Sequence, residues 1–425
     1  MNKKKLLLIQ LNEINFELVR KYQNNTEFQF FNEDFFKKLS ITNSEEKYEL
    51  LEPWIQWVSV YTGKSATEHK IFRLGDIDKY SGELLFNAVE KLNKTIGIIC
   101  SMNMINNFKK IKYFISDPWT NNHSGPGKKM NFISKTISQV VNLNSHKNIS
   151  VTLYFKVLVI LLISFRLKNI FLYLKLIFKF KKKWNKALLL DLILHDLHIE
   201  LLNKNKTEFS SIFFNAGAHI QHHYFFNSKH FENKVIQNPE WYIKKKHDPI
   251  LDMIIFYDQI LSEYKKLNEY DIILATGLSQ KPYDRTKYYY RLKNHEKFLK
   301  DLNINFTKVE PRMTRDFLIT FKNNIDKNQT IKKFYELNRI NKETVFSFED
   351  RNNSLFVTLS IQREIKKNDQ ILIDGQKKIM INDYVVFVAL KNGMHDQKGY
   401  FYTTSDLKID NIKEMNKKII NFFTK

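Results

Sequence analysis

The chain has 425 residues, of which 43% are hydrophobic and 14% aromatic, and its 68 Lys and Arg against 45 Asp and Glu give a formal charge of +23. This hydrophobic content excludes a mostly disordered chain, and a single cysteine excludes a disulfide scaffold or a cysteine-rich metal cluster. The positive charge favours anionic partners such as acidic lipid or phosphorylated compounds. Because no compact nucleic-acid-binding motif occurs, nucleic acid is not the expected partner.

The first third of the sequence alternates apolar strand-like runs with helical patterns. Residues 6–11 form a nearly continuous apolar run, which is typical of a parallel strand covered on both faces. Helices are predicted at 15–21, around 58–61 and at 83–92, and a second buried strand at 95–100. This rhythm predicts a doubly wound α/β fold with a mostly parallel sheet. The basic residues before the first strand do not introduce a signal peptide, since the apolar run is too short, and we expect a cytoplasmic protein.

A segment of different character fills the middle of the chain, after a turn-rich break at 117–127. Residues 149–165 are mostly apolar, and 167–180 predict a helix whose basic side chains fall near one face: Lys168, Lys175 and Lys179, with Lys182 beyond. A spanning helix needs about 20 apolar residues. We therefore expect a helical cap over the core, and contact of 149–187 with an anionic membrane surface remains open beside it.

The predicted sheet resumes after this insertion. Strands are predicted at 210–214 and 271–275, a helix at 250–267, further strands at 317–321, 345–348, 355–360 and 384–390, and a closing helix at 411–423. We accordingly divide the chain into a first part of the core at 1–124, a helical insertion at 125–205 and a second part of the core at 206–425, which ends in a β-rich portion.

Polar side chains follow several predicted strands, at the edge of the sheet where open α/β proteins bind ligands. Asn12 and Glu13 follow the first strand, and Asn215 follows the strand at 210–214. The further candidates at or beside strand ends are Thr276, Ser279, His219, His222, His223 and His395. Such residues suit a divalent cation, a phosphate or acid–base work. Each also has an ordinary structural role as a turn former, helix cap or partnered histidine, and both interpretations stay open.

Two carboxylates are candidates for acid–base chemistry. Glu52 precedes Pro53 and a tryptophan-rich helical segment, and Glu13 follows the first strand. They could serve as general base and general acid if burial separates their pKa values. His195 and its neighbours, in a leucine-rich helix, are instead predicted to be structural.

The ordered set of blocks resembles the alkaline phosphatase superfamily, in particular its nucleotide pyrophosphatase/phosphodiesterase and phosphopentomutase-like branches. The blocks are Leu11-Asn12, Thr62-Gly63 followed by Glu68-His69, Asn215 to His219, Thr276 to Ser279, and Gly393-Met394-His395. They cover residues 6–76, 210–280 and 393–402. The resemblance implies an alkaline-phosphatase-like sheet with a helical insertion, and a centre that holds divalent metal.

The residues present here alter the site that the resemblance implies. Asn12 and Asn215 stand where the family has aspartate ligands, and Pro53 stands near the position of its Thr or Ser nucleophile. An uncharged amide binds a divalent cation more weakly than a carboxylate. The expected site is therefore an altered one, with Zn, Mn or Mg held by Asn12, Asn215, His219 and His395, with Glu52 and Glu13 as catalytic carboxylates, and with His69 nearby.

We expect from this a phosphoester hydrolase or phospho-group transferase. The resemblance and the basic charge favour a phosphorylated small molecule or a lipid-linked glycan as substrate, as in surface-polysaccharide synthesis at the inner face of a membrane. Two alternatives remain: a catalytically inactive binding protein of the same fold, and a basic peripheral membrane protein.

Overall fold

The computed structural model describes residues 4–23, 27–120, 125–143, 150–178, 182–233, 235–312, 314–373 and 377–424. The chain forms two compact units. The first comprises Met1–Val235, Pro239–Pro282 and Gly393–Lys425, and the second comprises Ile236–Asn238 and Tyr283–Asn392.

The strands in chain order are β1 (Leu6–Leu11), β2 (Ser40–Asn43), β3 (Ile96–Ile99), β4 (Ile111–Ile115), β5 (Phe209–Phe214), β6 (Asp271–Ala275), β7 (Ser279–Leu292), β8 (Lys308–Pro311), β9 (Asp316–Thr320), β10 (Phe346–Arg351), β11 (Ser354–Leu359), β12 (Gln370–Ile373), β13 (Lys377–Met380), β14 (Val385–Asp396) and β15 (Lys398–Thr403).

The helices are α1 (Phe16–Gln23), α2 (Glu33–Lys38), α3 (Pro53–Thr62), α4 (Ala66–His69), α5 (Leu85–Lys91), α6 (Gly127–Leu143), α7 (Val151–Ser164), α8 (Ile170–Phe178), α9 (Asn185–Asn205), α10 (Ala216–Tyr224), α11 (Pro249–Lys265), α12 (His295–Asp301), α13 (Asn324–Asn341), α14 (Ile381–Tyr384) and α15 (Glu414–Thr424). Short 3-10 turns occur at Tyr48–Leu50, Asp76–Lys79, Leu167–Asn169 and Phe225–Asn227.

A seven-stranded sheet, in the order β2-β15-β6-β1-β5-β3-β4, forms the centre of the first unit. The strands β6, β1, β5, β3 and β4 run parallel to one another. Within this sheet β15 alone runs in the opposite direction, since it pairs antiparallel with both β6 and the edge strand β2. The predicted fold class, α/β with a mostly parallel sheet, is confirmed.

The first strand lies in the middle of this sheet, which explains its composition. All six of its residues are buried, and its one polar side chain, Gln10, donates to Ser211 Oγ at 2.6 Å and accepts the hydroxyl of Tyr61 at 2.9 Å. Because its polar atoms have partners, Gln10 can stand between parallel strands among apolar side chains.

The second unit has its own core. A four-stranded antiparallel sheet, in the order β10-β11-β9-β8, is packed around buried side chains such as Phe317, Phe334 and Val357. The chain passes into this unit within β7 and returns within β14. The β-rich portion that the sequence analysis placed in the second part of the core at 206–425 thus buries its apolar face within a separate unit.

The region predicted as a helical insertion consists of α6 to α9 in the first unit. The helix predicted at 167–180 is present from Leu167 to Phe178, where a 3-10 turn at Leu167–Asn169 leads directly into α8. Lys168 pairs with Glu263 at 3.1 Å. Residues 121–124, 144–149 and 179–181, on which parts of these predictions fall, lie outside the described residues.

Candidate metal or phosphate site

The carboxyl ends of β1, β5 and β6 meet at one edge of the sheet, and the end of β14 reaches the same place. Glu13 follows β1, and His222 lies on α10, the helix after β5. Gln280 comes shortly after β6, and His395 lies just before β15. Because β15 runs antiparallel to β6, its first residues lie at the same edge as the carboxyl ends of the parallel strands. Glu13, His222 and His395 bring one ligand atom each to within 4.8 Å of one another. These three residues are called the Glu–His cluster below.

The backbone at Glu13 has an unusual conformation that turns its side chain into the site. Its φ of 60° lies in the left-handed region, which is costly for a residue other than glycine. Two contacts hold it there: Glu13 donates its backbone N–H to Thr276 O at 3.1 Å, and Gln221 Nε2 donates to the Glu13 carbonyl at 2.7 Å. Backbone strain of this kind concentrates at functional sites.

The Glu13 carboxylate is 2% exposed and surrounded by nitrogen atoms. Its Oε2 lies 3.1 Å from His222 Nε2 and 3.2 Å from His395 Nε2, and it accepts from Gln280 Nε2 at 2.6 Å. Its Oε1 accepts from Asn12 Nδ2 at 2.9 Å. One buried carboxylate thus organises the site.

The orientation of the His222 ring is fixed by its second nitrogen. His222 Nδ1 lies 2.9 Å from the carbonyl oxygen of Gly393, and since a carbonyl only accepts, Nδ1 carries a hydrogen. In a neutral ring Nε2 would then turn a lone pair toward the Glu13 carboxylate. The contact is favourable only if the ring is a cation or if a metal ion lies between the two groups.

His395 lies between two carboxylates. Its Nε2 faces Glu13, and its Nδ1 lies 3.6 Å from Oε2 of Glu52. Glu52 is the residue before α3, and Pro53 is the first residue of that helix. The Glu52 side chain is 34% exposed, so it lies at the rim of the site, where it can meet solvent.

The surroundings of Glu13 keep it ionised. Burial by itself would raise the pKa of Glu13, but the combined effect of the imidazoles of His395 and His222 lowers it by more. The resulting pKa lies well below the usual value for glutamate. A carboxyl group with so low a pKa carries no proton near neutral pH. Glu13 therefore acts as a fixed negative charge, and its predicted use as a general acid is a poor fit to this environment.

The two asparagines predicted as metal ligands lie together beneath the Glu–His cluster. Asn12 Nδ2 donates to Asn215 Oδ1 at 2.9 Å, while Asn12 Oδ1 accepts the indole N–H of Trp57 at 3.0 Å. Both amides thus have polar partners within the protein. Asn12, held by Asn215 and Trp57, positions the Glu13 carboxylate through its hydrogen bond to Oε1.

The remaining predicted residues surround the site at different distances. His219 and His223 lie one turn apart on α10 with their rings 4.6 Å from each other, and within the described chain the Glu–His cluster includes neither. The histidine that faces Glu13 is His222, one helical turn after His219. Thr276 is buried and accepts from Tyr400 N at 2.9 Å, which joins β6 to β15. Ser279, also buried, begins β7.

His69, the last residue of α4, lies apart from the cluster and contacts Ser59 of α3. Its Nδ1 accepts the N–H of Ile71 at 3.0 Å, so its Nε2 carries the hydrogen and donates to Ser59 Oγ at 3.1 Å. Burial lowers the pKa of His69 to about 4. This ring is a neutral structural histidine that fixes the turn after α3.

Two glutamines in the site were missed by the sequence analysis. Gln280 donates to Glu13 and, at 3.0 Å, to Ala218 O, while Gln221 accepts the N–H of Asn15 at 3.0 Å as it holds the Glu13 carbonyl. Both are fully buried. Gln280 directly follows the Thr276–Ser279 block, but its role depends on hydrogen bonds to Glu13 and Ala218, which are distant from it in the sequence.

The Glu–His cluster has the donor chemistry of a metal site. Two imidazoles and one carboxylate suit Zn²⁺ or Mn²⁺ better than Mg²⁺, which prefers oxygen ligands. Each imidazole also has an acceptor near its other nitrogen, Gly393 O for His222 and Glu52 for His395, as metal-bound histidines commonly do. These residues therefore fit a single divalent ion.

No protein-family model and no curated protein sequence matches the chain significantly. Solved structures do match it along its whole length. Phosphonoacetate hydrolase from Sinorhizobium meliloti is 8% identical, with a TM-score of 0.44 over 99% of this chain and 96% of that one. Murine ectonucleotide pyrophosphatase/phosphodiesterase 5 is 8% identical, with a TM-score of 0.42 over 99% and 95%.

The alkaline phosphatase of the Antarctic bacterium TAB5 is 9% identical, with a TM-score of 0.39 over 100% of this chain and 99% of that one. All three proteins belong to the alkaline phosphatase superfamily, the family that the sequence resembles.

Proposed function

We propose that this protein binds one divalent cation at the Glu–His cluster and uses the site to hydrolyse or transfer a phosphate ester. The observation that carries the proposal is the His222 ring, whose Nδ1 hydrogen is held by Gly393 O and whose Nε2 faces a buried carboxylate. Zn²⁺ or Mn²⁺ fits this arrangement. When bound, such an ion supplies positive charge that neutralises a phosphate oxygen and lowers the pKa of water.

The protein's own residues have separate tasks in this reaction. Glu13 supplies the fixed negative charge, and Gln280 and Asn12 hold its two oxygens in place. Glu52, at the solvent-exposed rim, accepts a proton from the attacking water. The water oxygen forms a bond to phosphorus, the ester P–O bond breaks, and the leaving alcohol takes a proton from solvent.

A water nucleophile removes the need for a side-chain nucleophile, which Pro53 does not provide. The substrate is an anion, in keeping with the formal charge of +23. A phosphorylated or lipid-linked sugar is the substrate class that we propose, in a glycan-assembly setting.

Metal binding and turnover test the proposal separately. Apoprotein prepared with a chelator is titrated with Mn²⁺ and Zn²⁺ by calorimetry, and turnover of an aryl phosphodiester is followed with and without metal. His222→Ala and His395→Ala should each abolish tight binding and turnover. The matched controls are His219→Ala and His223→Ala, which lie on the same helix as His222 and should leave both unchanged.

Glu52→Gln separates chemistry from binding. It should keep metal affinity within a few-fold and lower turnover on the order of 100-fold, as expected for loss of a general base. Metal affinity lost in the His219 variant but kept in the His222 variant would place the ion elsewhere and refute the assignment.

A binding function without turnover is the second candidate, and Pro53 near the expected nucleophile position favours it. In that case the wild-type protein binds metal, and inorganic phosphate only with metal present, yet no ester in a broad panel is hydrolysed. Turnover that depends on Glu52 excludes this candidate.

A further inference from the structure

The helices α7 and α8 expose an unusual amount of apolar side chain. Ten of the seventeen large hydrophobic residues that are exposed in the described chain lie in this one segment. They are Val151, Tyr154, Phe155, Leu158, Leu162, Phe165, Leu167, Phe171, Leu174 and Phe178. Soluble proteins seldom leave so concentrated an apolar surface uncovered. We call it the apolar elbow.

The exposed side chains of each helix form one stripe. On α7 they follow positions i, i+3, i+4, i+7 and i+11 from Val151, and on α8 they follow i, i+3 and i+7 from Phe171, which is the spacing of a single helical face. The buried residues of α7, among them Leu153 and Ile160, lie on the opposite side. Both faces of α7 are therefore apolar, and only one of them is covered.

Polar contacts hold the elbow against the rest of the first unit. Arg166, at the bend, lies 3.4 Å from Asp196 and 2.9 Å from Glu263, and Asn169 donates to Asp196 at 2.6 Å. These contacts join the bend to α9, which carries Asp196, and to α11, which carries Glu263. The exposed stripe is thus the outer surface of a fixed element.

The charge in the sequence of the elbow has one sign, although Arg166 and Lys168 are paired with Asp196 and Glu263 on neighbouring helices. Between Asp117 and Asp191 the sequence has thirteen Lys and Arg and no Asp or Glu. A surface that combines apolar side chains with lysines complements an anionic lipid headgroup layer. A second copy of the chain is a poor occupant, because it would bring two such cationic segments against each other.

The geometry also indicates how the elbow would meet a membrane. Among the described residues no single helix is long and apolar enough to span a bilayer, and although Val151–Ser164 and Leu167–Phe178 together have the length and composition, they are bent by 112°. We propose that the apolar elbow lies along the surface of a membrane that contains anionic lipid, with its exposed stripes inserted among the headgroups. The proposal is independent of the chemistry at the Glu–His cluster.

Vesicle binding by the full chain tests this. We compare flotation with vesicles of phosphatidylcholine alone and with a 7:3 mixture of phosphatidylcholine and phosphatidylserine. Binding should require phosphatidylserine and weaken with added salt. Lys175→Gln should weaken it about fivefold, the effect of removing one surface lysine.

The apolar contribution is tested with a triple variant and a matched control. Phe155→Ser/Leu162→Ser/Phe171→Ser removes side chains that are 65%, 73% and 81% exposed, and should weaken vesicle binding at least about tenfold. The control Trp241→Ser/Ile325→Ser/Tyr335→Ser removes side chains that are 57%, 69% and 63% exposed elsewhere, and should bind like the wild type.

Two results would overturn the proposal. One is equal vesicle binding by the triple variant and the control. The other is a dimer of the wild type, seen by sedimentation without vesicles and dispersed by the triple variant, which would assign the stripe to a second copy. Turnover of a water-soluble aryl phosphodiester should be the same in both triple variants, so failure here is distinct from failure at the catalytic site.

Discussion

The most direct test of the site is Glu13→Gln, which keeps the size of the side chain and removes its charge. The carboxylate oxygens face nitrogen donors on both sides: Asn12 on Oε1, and Gln280 with the two histidines on Oε2. Asn12 cannot reverse its amide, because its Oδ1 accepts from Trp57. Either orientation of the new glutamine therefore places its NH₂ group against a donor.

The expected loss of stability follows from these contacts. One buried donor left without an acceptor costs about 1–3 kcal/mol, and a hydrogen bond to a charged group contributes about 1.5–3 kcal/mol. Part of this is offset because a buried carboxylate no longer has to be desolvated. The net expectation is about 3 kcal/mol, which at a urea m-value of about 3 kcal/mol/M lowers the unfolding midpoint by about 1 M.

Tryptophan fluorescence isolates the relevant unit, because all five tryptophans lie in the first one: Trp54, Trp57, Trp119, Trp184 and Trp241. Urea unfolding of the metal-free protein is compared with that of the exposed control Glu46→Gln.

The pH dependence follows from the pKa of Glu13, which is lower in the folded state than in the unfolded state. The ionised carboxylate contributes its whole stabilising free energy above the unfolded-state pKa of about 4.3, and this contribution is lost as the pH falls through the folded-state pKa. The difference between wild type and Glu13→Gln should therefore shrink as the pH falls below about 4. A midpoint shift no larger than that of the control, or one that does not change with pH, would refute this account of the site.

Three further changes test its surroundings. Gly393→Ala places a Cβ 2.3 Å from Gln280 Oε1, so we expect a loss of about 1–3 kcal/mol in urea unfolding and weaker Mn²⁺ binding by calorimetry. His69 has a folded pKa of about 4, below its unfolded value of about 6.5, so the protein should lose stability as the pH falls below 6.5, by at most about 1.4 kcal/mol per pH unit, and His69→Asn should flatten that part of the fluorescence melting profile. Asp191→Ala removes the acceptor of the Tyr257 hydroxyl and of the first N–H of α10, and should cost about 2–4 kcal/mol by the same melts.

The central strands could be predicted from sequence because their environment is uniform. β1, β5 and β6 are central strands, so most residues in each are apolar and each run can be recognised without knowing which strands pair with it. β4 was missed because Lys112 interrupts its apolar run where the strand begins, exposed to solvent, at the edge of the sheet. Edge strands are half-covered and give a weaker signal.

The site could be predicted only in outline. Strand ends and histidines placed Glu13, His222 and His395 among the candidates, since topology brings such ends to one edge. Which histidine of α10 faces Glu13 depends on the rotation of the helix, and a sequence pattern does not determine that rotation. Gln280 and Gln221 contribute through hydrogen bonds to residues more than 200 positions away, which no local pattern encodes.

The two asparagines explain why the charge of this site lies at Glu13. If Asn12 and Asn215 were both aspartates, one buried and one partly buried carboxylate would lie at hydrogen-bond distance, which requires a shared proton or a cation between them. As amides they bond to each other at 2.9 Å and need neither. The negative charge is carried instead by the next residue, whose left-handed backbone turns a longer side chain back over the pair and toward His222, one helical turn beyond His219. Compared with the residues expected from the sequence, Asn12 and His219, the charged groups thus lie one position further along the chain at Glu13 and one helical turn further at His222.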